Sequence, residues 1–150
     1  MTRVLLDTSI LVRLANPTDT EYGLAVHAVD VLRRGGSRLS ITPQVIIEFR
    51  AVATRPKPNN GLAYTPQEAE KLVTGFEAEF SMLDDTATVY EHWKRIVTAL
   101  DIVGKTVHDA RVVAVCHVHG VTDILTFNLS HYRTLAAAPP GLVVLDPATV

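Results

Sequence analysis

The chain has one cysteine, no long apolar run and no excess of positive charge. Each shortage removes a class of protein. Cys116 has no second cysteine to pair with, so an internal disulfide is excluded and a reducing, cytoplasmic setting is expected. Its neighbours Val115 and Val118 mark the thiol as a small buried hydrophobe. No stretch approaches the ~20 apolar residues that a membrane helix needs. The N-terminal run is broken by Asp7 and Arg13, which also argues against a secretory signal. The net charge is −2, so the chain does not coat nucleic acid through bulk charge. A nuclease is still allowed, because a bound metal supplies positive charge locally. There is no internal repeat and no low-complexity segment.

What is present is a chain of 150 residues, 47% of them hydrophobic, enough for a sizeable core in one domain covering 1–150. Short runs rich in Val, Leu and Ile alternate with longer amphipathic ones. The strand candidates are Arg3–Leu6, Leu39–Ile41, Phe80–Leu83, Ile124–Phe127 and Leu142–Leu145. Helix candidates run from about Ser9 to Ala15, Glu21 to Arg34, Pro43 to Thr54, Thr88 to Leu100 and His108 to His119. Another opens at Thr65-Pro66-Gln67-Glu68, where Thr65 can cap and Glu68 can close a capping box. Strands alternating with helices imply βαβ units and a mostly parallel sheet. Arg55–Tyr64, with two prolines, Asn59-Asn60 and Gly61, reads as a surface loop.

On such a sheet three distant acids fall at one edge. Asp7 follows the first strand. Glu48 lies in the second turn of the helix after the second strand, and Asp109 opens a later helix. Ligands bind beyond the carboxyl ends of parallel strands, at the point where the strand order reverses. Carboxylates crowded there repel each other, and a divalent cation removes that repulsion. Asn128, at the end of the fourth strand, falls at the same edge. Taken singly, Asp7 also fits a turn, Asp109 a helix cap and Glu48 a solvated helix face. Asp123 belongs to the opposite end of its strand. His117 and His119, two apart, face differently on a helix and make no metal cluster. Gly104-Lys105-Thr106 mimics the end of a phosphate-binding loop, but Ala99 stands where the upstream glycine is needed. Lys105 is kept as a phosphate-binding candidate. Arg50, Arg55, Lys57 and Arg133 are further candidates, with ordinary surface charge as the competing reading.

The segments Val4-Leu5-Leu6-Asp7-Thr8-Ser9, Ile47-Glu48-Phe49, His108-Asp109-Ala110-Arg111-Val112-Val113-Ala114 and Ile124-Leu125-Thr126-Phe127-Asn128 occur in that order. Together they resemble PIN-domain ribonucleases, more closely the VapC-type toxins of prokaryotic toxin–antitoxin pairs. The resemblance implies an α/β/α sandwich with a central, mostly parallel sheet. It implies Asp7, Glu48 and Asp109 as the catalytic and metal-holding acids, with Mg2+ or Mn2+ as the cofactor. Ser9 and Thr126 fall near the site by the same resemblance. It further implies an RNA substrate, a VapB-like antitoxin and a homodimer. Many members carry a fourth acid after the fourth strand, where this chain has Asn128 and, three residues on, His131. A neutral fourth position weakens a second metal site and leaves the first intact, since Mg2+ needs only one or two carboxylates. The rival reading is a PIN domain that binds RNA or a protein without cutting. Dehalogenase-type phosphatases and receiver domains fit poorly. The first need Asp-x-Asp where this chain has Asp7-Thr8-Ser9, and the second need an acidic pair that does not accompany Asp7.

Overall fold

Five strands form one sheet in the computed structural model, which describes residues 1–150. They are β1 (Arg3–Leu6), β2 (Arg38–Ile41), β3 (Ser81–Met82), β4 (Asp123–Leu125) and β5 (Val143–Leu145). All neighbours are parallel, in the order β3-β2-β1-β4-β5. Seven helices flank the sheet: α1 (Thr8–Leu14), α2 (Tyr22–Arg34), α3 (Pro43–Thr54), α4 (Pro66–Glu79), α5 (Ala87–Ala99), α6 (Thr106–Val118) and α7 (Leu129–Tyr132). The architecture is the expected α/β/α sandwich, and its sheet is parallel throughout.

The reason lies in the strands. Val4, Leu5 and Leu6 are all fully buried, so β1 is covered on both faces and alternation is lost. Such a strand needs helices above and below it. Among these α6 is the most enclosed, with an unbroken buried run from Val112 to Cys116. Cys116 is a packing residue as expected, and burial pushes its thiol pKa up. Helix α4 starts as its sequence indicates, with Thr65 and Glu68 closing a reciprocal capping box. No helix is long and apolar enough to cross a membrane.

Beyond shifts of one residue at several strand and helix ends, three features differ from the sequence reading. Strand β4 ends at Leu125 instead of Phe127: Thr126 N–H still reaches Leu145 O at 3.2 Å, but the N–H groups after it turn to side chains. Phe127 N–H donates to Ser9 Oγ at 3.0 Å and Asn128 N–H to Thr126 Oγ1 at 2.9 Å. Strand β3 has two residues instead of four, since Phe80 caps α4 by donating to Phe76 O. Asp109 does not cap α6. That helix begins earlier, at Thr106, and leaves Asp109 inside its first turn with its side chain directed elsewhere.

The strand order reverses between β1 and β4. Leu6 is in register with Leu125, so Asp7 and Thr126 emerge side by side where the two strands end. The backbone seals the pair, with Asp7 N–H donating to Leu125 O at 3.0 Å.

Candidate active site

Asp7 is the deepest of the three acids, only 4% exposed. It stands at the N-cap position of α1 yet makes no side-chain capping bond. Its oxygens are used otherwise. Oδ2 accepts from Ser9 Oγ at 2.9 Å and Thr126 Oγ1 at 2.8 Å, and Oδ1 accepts from Tyr132 Oη at 3.0 Å. The two hydroxyls are pre-aimed. Each already accepts a backbone N–H, from Phe127 and from Asn128, so its own proton is free for the carboxylate. Of roughly four lone-pair positions on a carboxylate, about one is left over, on Oδ1. A buried carboxylate held by three donors is fixed in place and has one free position to offer a ligand.

Tyr132 was not anticipated. It is 1% exposed and sits on α7, a four-residue helix too short to announce itself by periodicity. Burial first, then the charges of Asp7 and Asp109, raise its pKa well above the ordinary range. The phenol therefore stays a donor. The available signal was an aromatic four residues after Asn128, in a segment already suspected of reaching the site.

Glu48 points back from the second turn of α3 toward the strand ends. Oε2 accepts from Thr8 Oγ1 at 2.8 Å and Oε1 from Gln44 Nε2 at 3.0 Å. Gln44 is itself oriented. Arg111 Nη1 donates to its Oε1 at 3.0 Å, while its Nε2 also donates to His108 O at 2.8 Å. Arg111 is donor-only, which fixes which end of the amide is which. Arg111 in turn pairs with Asp85 at 2.9 Å. A chain Asp85–Arg111–Gln44–Glu48 thus runs from the surface to the site, and no local motif marks it.

Asp109 is 27% exposed, with His131 Nδ1 3.8 Å from its Oδ2. Its pKa is raised from 3.8 to about 6. Burial is the largest cause. His131 opposes it, and the negative charges of Asp7 and Glu48 add to it. The three acids thus form one electrostatic unit, and they line one cavity of about 690 Å³ at the strand ends. Asn128 lines the same cavity. Lys105 does not; it lines a separate hollow on the other side of Asp109, beside His131. Arg133 is exposed and lies outside both cavities. Of the other basic candidates, Arg50 pairs with Glu70, Lys57 is exposed on a turn, and Arg55 reaches the cavity.

The donor set suits a hard divalent cation: carboxylate oxygens only, partly desolvated, with excess negative charge. No three His, Cys, Asp or Glu side chains close around a single point. A fit to Mg2+ or Mn2+ therefore uses one or two carboxylates directly and waters for the rest, as those ions accept.

Comparison with known proteins bears on the family and the fold. The PIN domain family profile matches residues 4–135. The fold superposes on the DNA-bound VapBC2 of Rickettsia felis with a TM-score of 0.72 at 15% identity, over 97% of this chain and 98% of that one. It superposes on DNA-bound VapBC from Salmonella typhimurium with a TM-score of 0.70 at 20% identity, over 98% and 99% of the two chains. For Mycobacterium tuberculosis VapC20, described as a toxin that cleaves the sarcin–ricin loop, the TM-score is 0.63 at 17% identity, over 90% and 95%. No curated protein matches the sequence. The chain belongs to the PIN-domain family.

Proposed function

We propose that this protein is a divalent-cation-dependent endoribonuclease and the toxin of a VapBC-type toxin–antitoxin pair. The observation that carries the reading is the convergence of Asp7, Glu48 and Asp109 on one cavity, with Asp109 pushed up toward pH 6 partly by the other two. Three mutually repelling carboxylates cost stability unless a cation or a proton joins them. The resemblance to VapC toxins supports RNA as the substrate, a VapB-like antitoxin as the partner, a homodimer and a cytoplasmic setting.

In this reading Asp7 and Asp109 hold Mg2+ or Mn2+, with Glu48 binding directly or through water. When bound there, such an ion would act as a Lewis acid on the phosphate and make a coordinated water more acidic. The protein's own part is positional. Ser9, Thr126 and Tyr132 fix Asp7, so it need not reorganise during the reaction. Gln44 and Thr8 fix the two oxygens of Glu48. Asn128 offers the cavity a neutral amide where a fourth acid would add charge, which suits one cation better than two. The same neutral position favours the rival reading, a binding module that holds RNA without cutting it.

Mapping 5′ ends of cellular RNA after induced expression separates the two. The nuclease reading expects discrete new ends with wild type and none with Asp7→Asn expressed at the same level. Wild-type expression without new ends, alongside retained RNA binding, would favour the binding module.

A further inference from the structure

The cavity does not stop at the acids. It continues as a groove between α1 and α3, and its character changes along the way. On α3, Glu48 and Val52 share a face, and Arg55, the residue that ends the helix, follows three residues on along the same cavity wall. On α1, Ser9 and Arg13 likewise share a face, with Asn16 just beyond the helix end. Seven residues of helix separate Glu48 from Arg55, about 10 Å along the axis. One end of the groove is therefore acidic, and the other presents two guanidinium groups with the amides of Asn16 and Asn60.

That far end is built rather than incidental. The 55–64 loop folds back onto α3 through Leu62 N–H to Val52 O, Ala63 N–H to Arg55 O and Tyr64 N–H to Ala53 O, at 3.1, 2.9 and 2.8 Å. Tyr64 Oη then donates to Ala15 O at 2.5 Å, tying the loop to the end of α1. Gly61 makes the closure possible: a Cβ there would stand 1.9 Å from Arg55 O. Both arginines keep donors in hand. Arg55 makes one long bond, to Asn59 O at 3.4 Å. Arg13 stacks 5.0 Å over Phe127, makes a long bond to Ser9 O at 3.4 Å, pairs with half-exposed Glu21 at 3.2 Å, and has a buried Nε with no partner. Asp19 also lines this end, and its carboxylate accepts Glu21 N–H at 2.7 Å. The Arg13–Glu21 pair is only partly buried, with side chains 25% and 41% exposed, so water still screens it and a phosphate can compete for the guanidinium. A guanidinium suits a phosphodiester through paired N–H donors.

We propose that Arg13 and Arg55, with Asn16 and Asn60, form a binding site for a backbone phosphate of single-stranded RNA flanking the one at the carboxylates. The inference rests on the nuclease reading for its orientation: the scissile phosphate lies at the acids, and the strand leaves along the groove between α1 and α3. The site is blind to base identity, because its donors address phosphate. It holds the strand in register and adds a salt-dependent term to binding.

The test uses the full chain with a fluorescent single-stranded RNA oligonucleotide, following cleavage in Mg2+ and anisotropy across a salt series. Arg55→Ala is the main variant, since this exposed side chain makes no bond shorter than 3.4 Å. Arg13→Gln is the second, and Arg55→Lys tests rescue by charge. For Arg55→Ala, kcat/KM falls about tenfold, carried by KM, as loss of one charged hydrogen-bond contact implies. The slope of log affinity against log salt shrinks by about 0.7, and Arg55→Lys recovers most of both. Unchanged KM and slope in Arg55→Ala and Arg13→Gln, with wild type cutting normally, would overturn the proposal. So would unchanged RNA binding with weakened binding of a glutamate-rich peptide, which would assign the basic end to a protein partner. If wild type binds but does not cut, while Arg55→Ala still lowers the slope, the phosphate site stands and the nuclease reading fails.

Discussion

Replacing Asp109 by Asn should stabilise the metal-free protein, although it removes a residue of the site. Asp109 titrates at about 6 in the folded chain against 3.8 unfolded, with burial as the first cause and the charges of Asp7 and Glu48 adding to it. A folded-state pKa raised in this way means that the native chain binds more protons than the unfolded one between those values. Stability from this group is thus complete below pH 3.8 and is lost as pH rises through about 6. At neutral pH the full shift corresponds to ~3 kcal/mol of disfavoured ionisation. The side chain is about a quarter exposed, and solvent screening reduces the figure to ~1–2 kcal/mol. For a chain of this size that is a rise in Tm of ~3–6 °C. The assay is calorimetry in EDTA. Asp109→Asn should melt higher than wild type at pH 7.5, and the gap should close toward pH 4. Adding Mn2+ should then raise the wild-type Tm by mass action and the variant's Tm less. A variant that melts lower than wild type at pH 7.5 without metal would refute the claim that the three carboxylates strain one another.

Tyr132→Phe removes the only donor to Asp7 Oδ1 and should cost ~1–2 kcal/mol of stability while reducing kcat, read by calorimetry and RNA cleavage. Gln44→Ala frees Glu48 Oε1 and strands Arg111 Nη1; apparent Mn2+ affinity should fall ~10–100-fold by titration calorimetry, as loss of an outer-shell partner does elsewhere. Gly61→Ala puts a Cβ against the Arg55 backbone, so the 55–64 loop must move away. Limited proteolysis within 55–64 should accelerate, with KM for RNA rising more than kcat falls.

The acids themselves were legible in the sequence because each sits next to a boundary that periodicity marks well. Asp7 follows an apolar strand, Glu48 follows a Thr-Pro helix start, and Asp109 lies in the first turn of a strongly apolar helix. The strand order alone then brings them to one edge. What supports them was not legible. Gln44 and Arg111 are 67 residues apart and meet only through helix packing, so nothing local distinguishes them from surface polar residues. Tyr132 lies on a helix of four residues, below the length at which a periodic pattern exists. The end of β4 was misread because Thr126 and Phe127 have strand-like character; the side chains of Ser9 and Thr126 capture the backbone there, a tertiary effect. The basic end of the groove was half seen. Arg55 was among the candidate cations; Arg13 stood out only as a break in the N-terminal apolar run, and its place beside Arg55 depends on the packing of α1 against α3.

In the nuclease reading these carboxylates work through a divalent cation on RNA. Its most direct test is cleavage of a labelled RNA pool by purified wild type with Mg2+ or Mn2+, with EDTA, and after metal is restored. Asp7→Asn, purified identically, controls for contaminating nuclease. Wild type should give discrete fragments with metal, none with EDTA and fragments again on readdition, and the variant should give no cuts. Fragments that persist in EDTA, or that Asp7→Asn produces as well as wild type, would contradict that reading.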